Sequence, residues 1–254
     1  MTGSRAAVVW GLVAAHAAAD GRGVSVADVC AVAASSAQVS GAWVSGGGTR
    51  GPDFVLCVTG PVCEQLAELQ LMLGEGPCRD ALAAAAPVLV AGLGDEESSR
   101  RWPAFTPEAR RLGAGAIFAF PLMVGAIQAG VMGLYRSSPG PLDSVRLGDG
   151  LVLADAATML LLAAADHVPR NTDGAAVAGG AALAGQAPDL ALHRAEIDQA
   201  TGMLTLQLGV TVAEAFVRLR AYAYASDRRL AEVAGDIVAR RLRLHPDPPP
   251  DGGP

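Results

Sequence analysis

Between Pro188 and Arg243 apolar residues recur at helical spacing, in three runs separated by stop and start signals. Leu190, Ile197, Leu204 and Leu208 form one seam of a first helix, and Gly209 just beyond them is a stop able to take the left-handed conformation. Thr211, with Glu214 three residues on, is a capping box in which side chains and amides satisfy one another. It opens a second helix with the stripe Val212, Ala215, Phe216, Leu219 and Ala223. Ser226 or Asp227 can cap a third, striped by Leu230, Val233, Ala234 and Ile237. Helices this short are marginal alone, so the stripes are expected to pack together as a small three-helix bundle over 188–243.

The pattern upstream is mixed. Residues 5–20 read as a helix with Val8, Val9, Leu12 and Val13 on one side, and Ser25 with Asp28 three residues later starts another that runs to about Gln38. Short β-prone runs follow at Ala42–Ser45 and Phe54–Thr59, separated by a Gly-rich turn at 46–51. Pro61 opens a helix through Leu71, Pro87–Val90 reads as a strand, and the stretch from Trp102 to Leu112 is helical or irregular. Ile117–Met123 and Gln128–Tyr135 are apolar runs joined at Gly125-Ala126, a hairpin. A long helix then covers Asp143–Asp166, with Leu147, Leu151, Ala154 and Leu161 at near-heptad spacing. Helices, several short strands and a closing helix describe an α+β domain over 8–166 with an antiparallel sheet and flanking helices. Residues 167–187 are Pro-, Gly- and Ala-rich and predict a flexible linker, and 244–254 predicts a disordered tail.

A length of 254 residues suits two modest domains, and 51% hydrophobic residues supply their cores. The formal net charge of -6 excludes a polycation, yet from 188 to 243 eight arginines face seven acids, so this segment is near neutral. Every cation is arginine, which suits phosphates and bases as well as reflecting genome composition. The N-terminus lacks a signal pattern, and the most apolar window, Leu151–Ala165, is too short to span a bilayer and contains Asp155. A cytoplasmic protein with no membrane association is the expectation. Cys30, Cys57, Cys63 and Cys78 are then expected to be reduced, and neither they nor the scattered histidines have metal-site spacing.

The C-terminal segment resembles the ANTAR family, the RNA-binding output domain of transcription antitermination regulators. The likeness rests on Arg194-x-x-Ile197-x-x-Ala200-x-Gly202, on Glu214-Ala215-Phe216-x-x-Leu219-Arg220-x-x-Ala223, and on Leu230-x-x-Val233-Ala234. The family usually has a lysine between Ala200 and Gly202, where Thr201 stands here. Leu73-Gly-Glu-Gly-Pro-Cys78, Trp102-Pro-Ala-Phe105 and Phe118-Ala-Phe-Pro-Leu122 resemble the GAF domains that precede ANTAR modules in actinobacterial regulators. The resemblance implies a GAF-like sensor controlling an ANTAR-like bundle that binds stem-loops in nascent RNA. It also implies a homodimer, paired through the outer helices Ala6–Ala19 and Asp143–Asp166.

RNA loops are read by stacking bases on aromatic or guanidinium planes with arginines on phosphates. The candidates are Arg218 with Tyr222 and Arg220 with Tyr224, each pair four apart, then Arg228 and Arg229 at the start of the third helix, and Arg194 and Thr201 on the first. Each also has a structural reading: Arg194 can pair with Asp198, and the tyrosines can cover the core rim. In the first domain Glu75 and Cys78 could line a pocket for an unknown small molecule, or Gly74–Cys78 could be a tight turn before a helix. No cofactor and no catalytic residue is expected. The alternatives are a thiol-based redox enzyme or sensor using Cys57, Cys63 and Cys78, and a bundle that mediates protein contacts only.

Overall fold

A computed structural model describes residues 2–47, 54–166 and 188–245. The linker, most of the Gly-rich turn and the tail beyond 245 lie outside the described residues. The chain divides into two units, Met1–Ala191 and Leu192–Pro254.

The first unit is built on five strands, β1 (Gly41–Gly46), β2 (Phe54–Val58), β3 (Val88–Val90), β4 (Ala116–Val124) and β5 (Ile127–Arg136). They form one sheet in the order β2-β1-β5-β4-β3, antiparallel throughout. The hairpin at Gly125-Ala126 pairs Val124 with Ile127, a two-residue turn as its sequence requires. Successive side chains point to opposite faces, and each face has its own core. Val44, Leu56, Phe118, Phe120, Leu122, Met132 and Leu134 face a cluster shared with α1 (Thr2–Ala19), α2 (Val26–Ser36) and α7 (Ser144–Asp166). Trp43, Ile117, Ala119, Val131 and Tyr135 face the other way, onto α3 (Pro61–Leu73), α4 (Pro77–Ala84) and α6 (Phe105–Arg111), with the short α5 (Glu96–Arg101) beside them.

Two expectations change here. The cysteines are not all thiols, because Cys30 of α2 and Cys57 of β2 are bonded to each other, a pairing across 27 residues that no local pattern announces. Of the near-heptad residues of α7, Ala154 is buried with Leu153, Ala156 and Ala157, while Leu151 is 44% exposed. The helix expected over 143–166 forms as Ser144–Asp166, but its apolar stretch, Ser144–Ala164, is longer than the Leu151–Ala165 window that is too short to span a bilayer. Among the described residues it is the single unbroken helix long and apolar enough to cross a membrane. Its buried stripe packs into the sheet core.

The α2 N-terminus holds the most concentrated polar group in this unit. Asp28 is fully buried and accepts both Nη atoms of Arg22 at 2.6 Å, His16 Nδ1 at 2.8 Å, and the backbone N–H and hydroxyl of Ser25, each at 2.8 Å. Burial on its own would raise this carboxyl, but the hydrogen bonds from Arg22, His16 and Ser25 outweigh it and hold Asp28 far below the usual carboxylate range.

The second unit is three helices, α8 (Pro188–Leu208), α9 (Val212–Ala225) and α10 (Leu230–Val238). Gly209 takes φ 67° and ends α8, and Thr211 accepts the Glu214 N–H to begin α9, which turns away from α8 by 107°. Ala200, Leu204, Ala215, Phe216, Leu219, Ala223, Leu230, Val233, Ala234 and Ile237 are buried together. Val212 is an exception to the expected stripe at 57% exposure, and the cap of α10 is Arg229, with neither Ser226 nor Asp227 in that place. Leu244, expected in the tail, is buried, and its carbonyl accepts a hydrogen bond from Gln207 of α8.

Candidate nucleic-acid interface

The second helix of the bundle buries Ala215, Phe216, Leu219 and Ala223, which leaves Arg218, Arg220, Tyr222 and Tyr224 on its flanks. Tyr224 is 54% exposed, so one ring face is open to a stacking partner, while Tyr222 is half-buried at the rim. Arg220 places its guanidinium 5.7 Å from the Phe216 ring centroid, which orients the plane while leaving it partly exposed. Arg218 donates to Glu214 one turn earlier at 3.2 Å.

Arg228 stands in the turn between α9 and α10. Its Nη2 donates to Asp236 at 2.7 Å, and its Nε lies 3.9 Å from Glu232. The hydrogen bond to Asp236 is the main reason its pKa is raised, with Glu232 and Tyr222 adding to it. The Asp236 carboxylate is held low in turn, first by Arg228 and then by Arg241, whose Nε and Nη2 both reach the other oxygen at 2.7 Å. Arg229 is exposed at the N-cap of α10. Arg241 escaped the sequence reading; it lies five residues after Asp236, a spacing no helical rule pairs.

Two candidates sit elsewhere. Thr201 is buried, and its hydroxyl donates to the Ile197 carbonyl at 2.7 Å, so it presents no group at the surface. Arg194 is partly buried 3.7 Å from Asp198; burial pushes Asp198 up and Arg194 down, and each charge partly offsets the shift of the other. That pair follows the structural reading of Arg194.

In the first unit, Trp43, Phe54, Gln70, Cys78, Leu82 and Val131 are among the residues lining a small open cleft of about 20 Å³, room for about one water, between the sheet and the α3–α4 pair. Cys78 is buried at its wall. Glu75 has a structural task instead: its Oε1 accepts the N–H groups of Ala104 and Phe105, at 2.6 and 2.7 Å, capping the start of α6 from 30 residues away. Gly76 has φ 128°, and a Cβ there would lie 2.6 Å from Gln70, whose side chain receives the Cys78 N–H at 2.8 Å. The Gly-Glu-Gly-Pro-Cys run is thus a tight turn that also walls the cleft. Of the cysteines in the redox reading, Cys57 pairs with Cys30, while Cys63 and Cys78 are buried outside any disulfide. Burial pushes the Cys63 thiol up, partly offset by Thr59, and that disfavours the thiolate a nucleophile needs. Among the described residues no three His, Cys, Asp or Glu side chains gather to hold a metal.

No curated protein matches the chain. Among solved structures it is similar to the GAF domain of a phosphoenolpyruvate-protein phosphotransferase from Coxiella burnetii, at 12% identity over 63% of this chain and 96% of that one, with a TM-score of 0.49. It is also similar to the GAF domain of an Acinetobacter phosphoenolpyruvate-protein phosphotransferase, at 12% identity over 65% and 96% of the two chains, with a TM-score of 0.47. Residues 190–238 match the ANTAR domain family. That matched segment follows an α+β unit built on a five-stranded antiparallel sheet with flanking helices.

Proposed function

We propose that this protein is a non-enzymatic, cytoplasmic transcription regulator whose ANTAR domain binds stem-loops in nascent RNA and causes antitermination. The observation that carries the reading is the ANTAR match over 190–238, which includes both tyrosines and every candidate arginine. Arg218, Arg220 and Tyr224 on the flanks of α9, and Arg228 and Arg229 after it, offer guanidinium and phenol planes of the kind that hold unstacked bases and phosphates. Binding would favour the antiterminator over the terminator by its differential affinity for the two RNA folds. The GAF-like unit supplies the signal, through an unidentified small molecule or through dimerisation. The second route draws on the exposed Val8 and Leu12 of α1 and Leu151 and Met159 of α7, an apolar surface suited to a second copy.

The test is binding of the full-length protein to a panel of tandem RNA stem-loops, beside an Arg220→Ala, Tyr224→Ala, Arg229→Ala variant. The expected result is loop-dependent binding by the wild type and a loss of about tenfold or more in the variant, the scale of one lost base stack. Wild-type binding no better than to unstructured RNA would overturn the reading and leave the bundle as a protein-contact module.

A further inference from the structure

The turn after α10 carries three arginines, Arg240, Arg241 and Arg243, with no acid between Ala239 and His245. Its backbone is pinned at both ends. The N–H groups of Arg241 and Leu242 donate to the Asp236 carbonyl at 2.8 and 3.1 Å, and the Leu244 carbonyl is held by Gln207. Along it the side chains alternate: Leu242 is half-buried and Leu244 buried, while Arg241 and Arg243 are exposed, as is Arg240 before them. A pinned segment with its leucines turned inward presents its arginines to solvent.

Two details set these arginines apart from ordinary helix-end charge. A cation after the last turn favours the helix dipole, which accounts for one arginine and not three. Arg240 also stands in the left-handed region at φ 59°, where glycine fits freely and a side chain is strained. Arg241 and Arg228 grip the two oxygens of one carboxylate, Asp236, so the turn after α10 and the turn before it open on the same side. Arg241 is exposed at this shared carboxylate, and Arg228 is partly exposed there with Glu232 3.9 Å away.

We propose that Arg240, Arg241 and Arg243 form a phosphate-contact surface, continuous with Arg228, that takes the RNA backbone next to the loop read by α9. This rests on the RNA-binding reading of the ANTAR domain. Phosphate contacts position a nucleic acid without reading its sequence, so the surface sets affinity and salt dependence and leaves loop choice to α9.

The experiment measures binding of the full-length protein to its tightest stem-loop and to the same stem with a scrambled loop, at several salt concentrations. The variants are Arg240→Gly with Arg243→Gln, and Arg240→Lys with Arg243→Lys. The first is expected to weaken binding about tenfold on both RNAs and to flatten the log–log salt slope by about 1.5, since each phosphate contact contributes about 0.7–0.9. Its melting temperature should hold or rise, because glycine relieves position 240. The lysine pair should keep the slope. Unchanged affinity and slope in the glycine–glutamine variant, with the wild type still binding, would overturn this surface and leave the RNA reading standing. So would a loss confined to the intact loop. A wild type that binds neither RNA removes the RNA reading itself, and this surface with it.

Discussion

Asp28 and Asp236 are the same chemistry in two settings. Each carboxylate is gripped by more than one side chain, Asp28 by Arg22 and His16 and Asp236 by Arg228 and Arg241, with closest contacts of 2.6 and 2.7 Å. Both are held below the usual carboxylate range. Asp28 has no exposed side-chain surface, while Asp236 keeps 22% of its own. Burial turns the first into part of the fold: water cannot replace its partners, and Ser25 at the start of α2 depends on it. Water and salt can replace the partners of the second, as the proposed exchange of those contacts for a phosphate needs.

Removing Asp28 is therefore the most damaging single change of the set. Asp28→Ala is expected to destabilise the first unit by about 2–3 kcal/mol, the scale of hydrogen bonds to a buried charge, and to loosen the packing of α1 on α2. Tryptophan fluorescence in denaturant isolates this effect, because Trp10, Trp43 and Trp102 all lie in the first unit. A midpoint shift no larger than that of an ordinary surface substitution would place Asp28 with the solvated pairs.

The pH dependence has a definite sign. The folded-state pKa of Asp28 is depressed, so its contribution is fully present above the unfolded carboxylate value of about 3.9 and is lost as pH falls below it. The stability gap between wild type and Asp28→Asn should be constant from pH 7 to about pH 5 and then narrow steadily as acid is added. Fluorescence-detected unfolding across that range measures it. A gap that widened on acidification would reverse the assignment of the charged form to the folded state.

What could be read beforehand divides by distance along the chain. Ser25 with Asp28, Gly209 and the hairpin at Gly125 are local devices, complete within four residues, and the structure has each of them, while Thr211 caps the Glu214 N–H and the Glu214 carboxylate accepts from Arg218. The buried stripes of α9 and α10 follow from helical period, apart from Val212, which faces solvent in the first turn of α9. The Cys30–Cys57 bond, the capping of α6 by Glu75 and the sharing of Asp236 by Arg228 and Arg241 depend on where separate segments meet. Periodicity carries no record of such meetings. Thr201 was misjudged for a related reason: on the α8 wheel it falls at the edge of the seam, and only the approach of the other helices decides that the edge is covered.

The counterpart of Asp28→Ala is Asp236→Asn, and it should be nearly silent in stability. The carboxylate is partly exposed and its arginines are long and solvated, so the change is expected to shift the unfolding midpoint of the second unit no more than an ordinary surface substitution does. That small shift should disappear in about 1 M salt, where screening acts within a few ångströms. Circular dichroism of the full chain at low and high salt, with tryptophan fluorescence tracking the first unit, separates the two. If Asp236→Asn proved as damaging as Asp28→Ala and equally indifferent to salt, the Arg228–Asp236–Arg241 group would be a structural brace. Its guanidiniums would then be committed to holding α10, and RNA phosphates would have to be met by Arg240 and Arg243 alone.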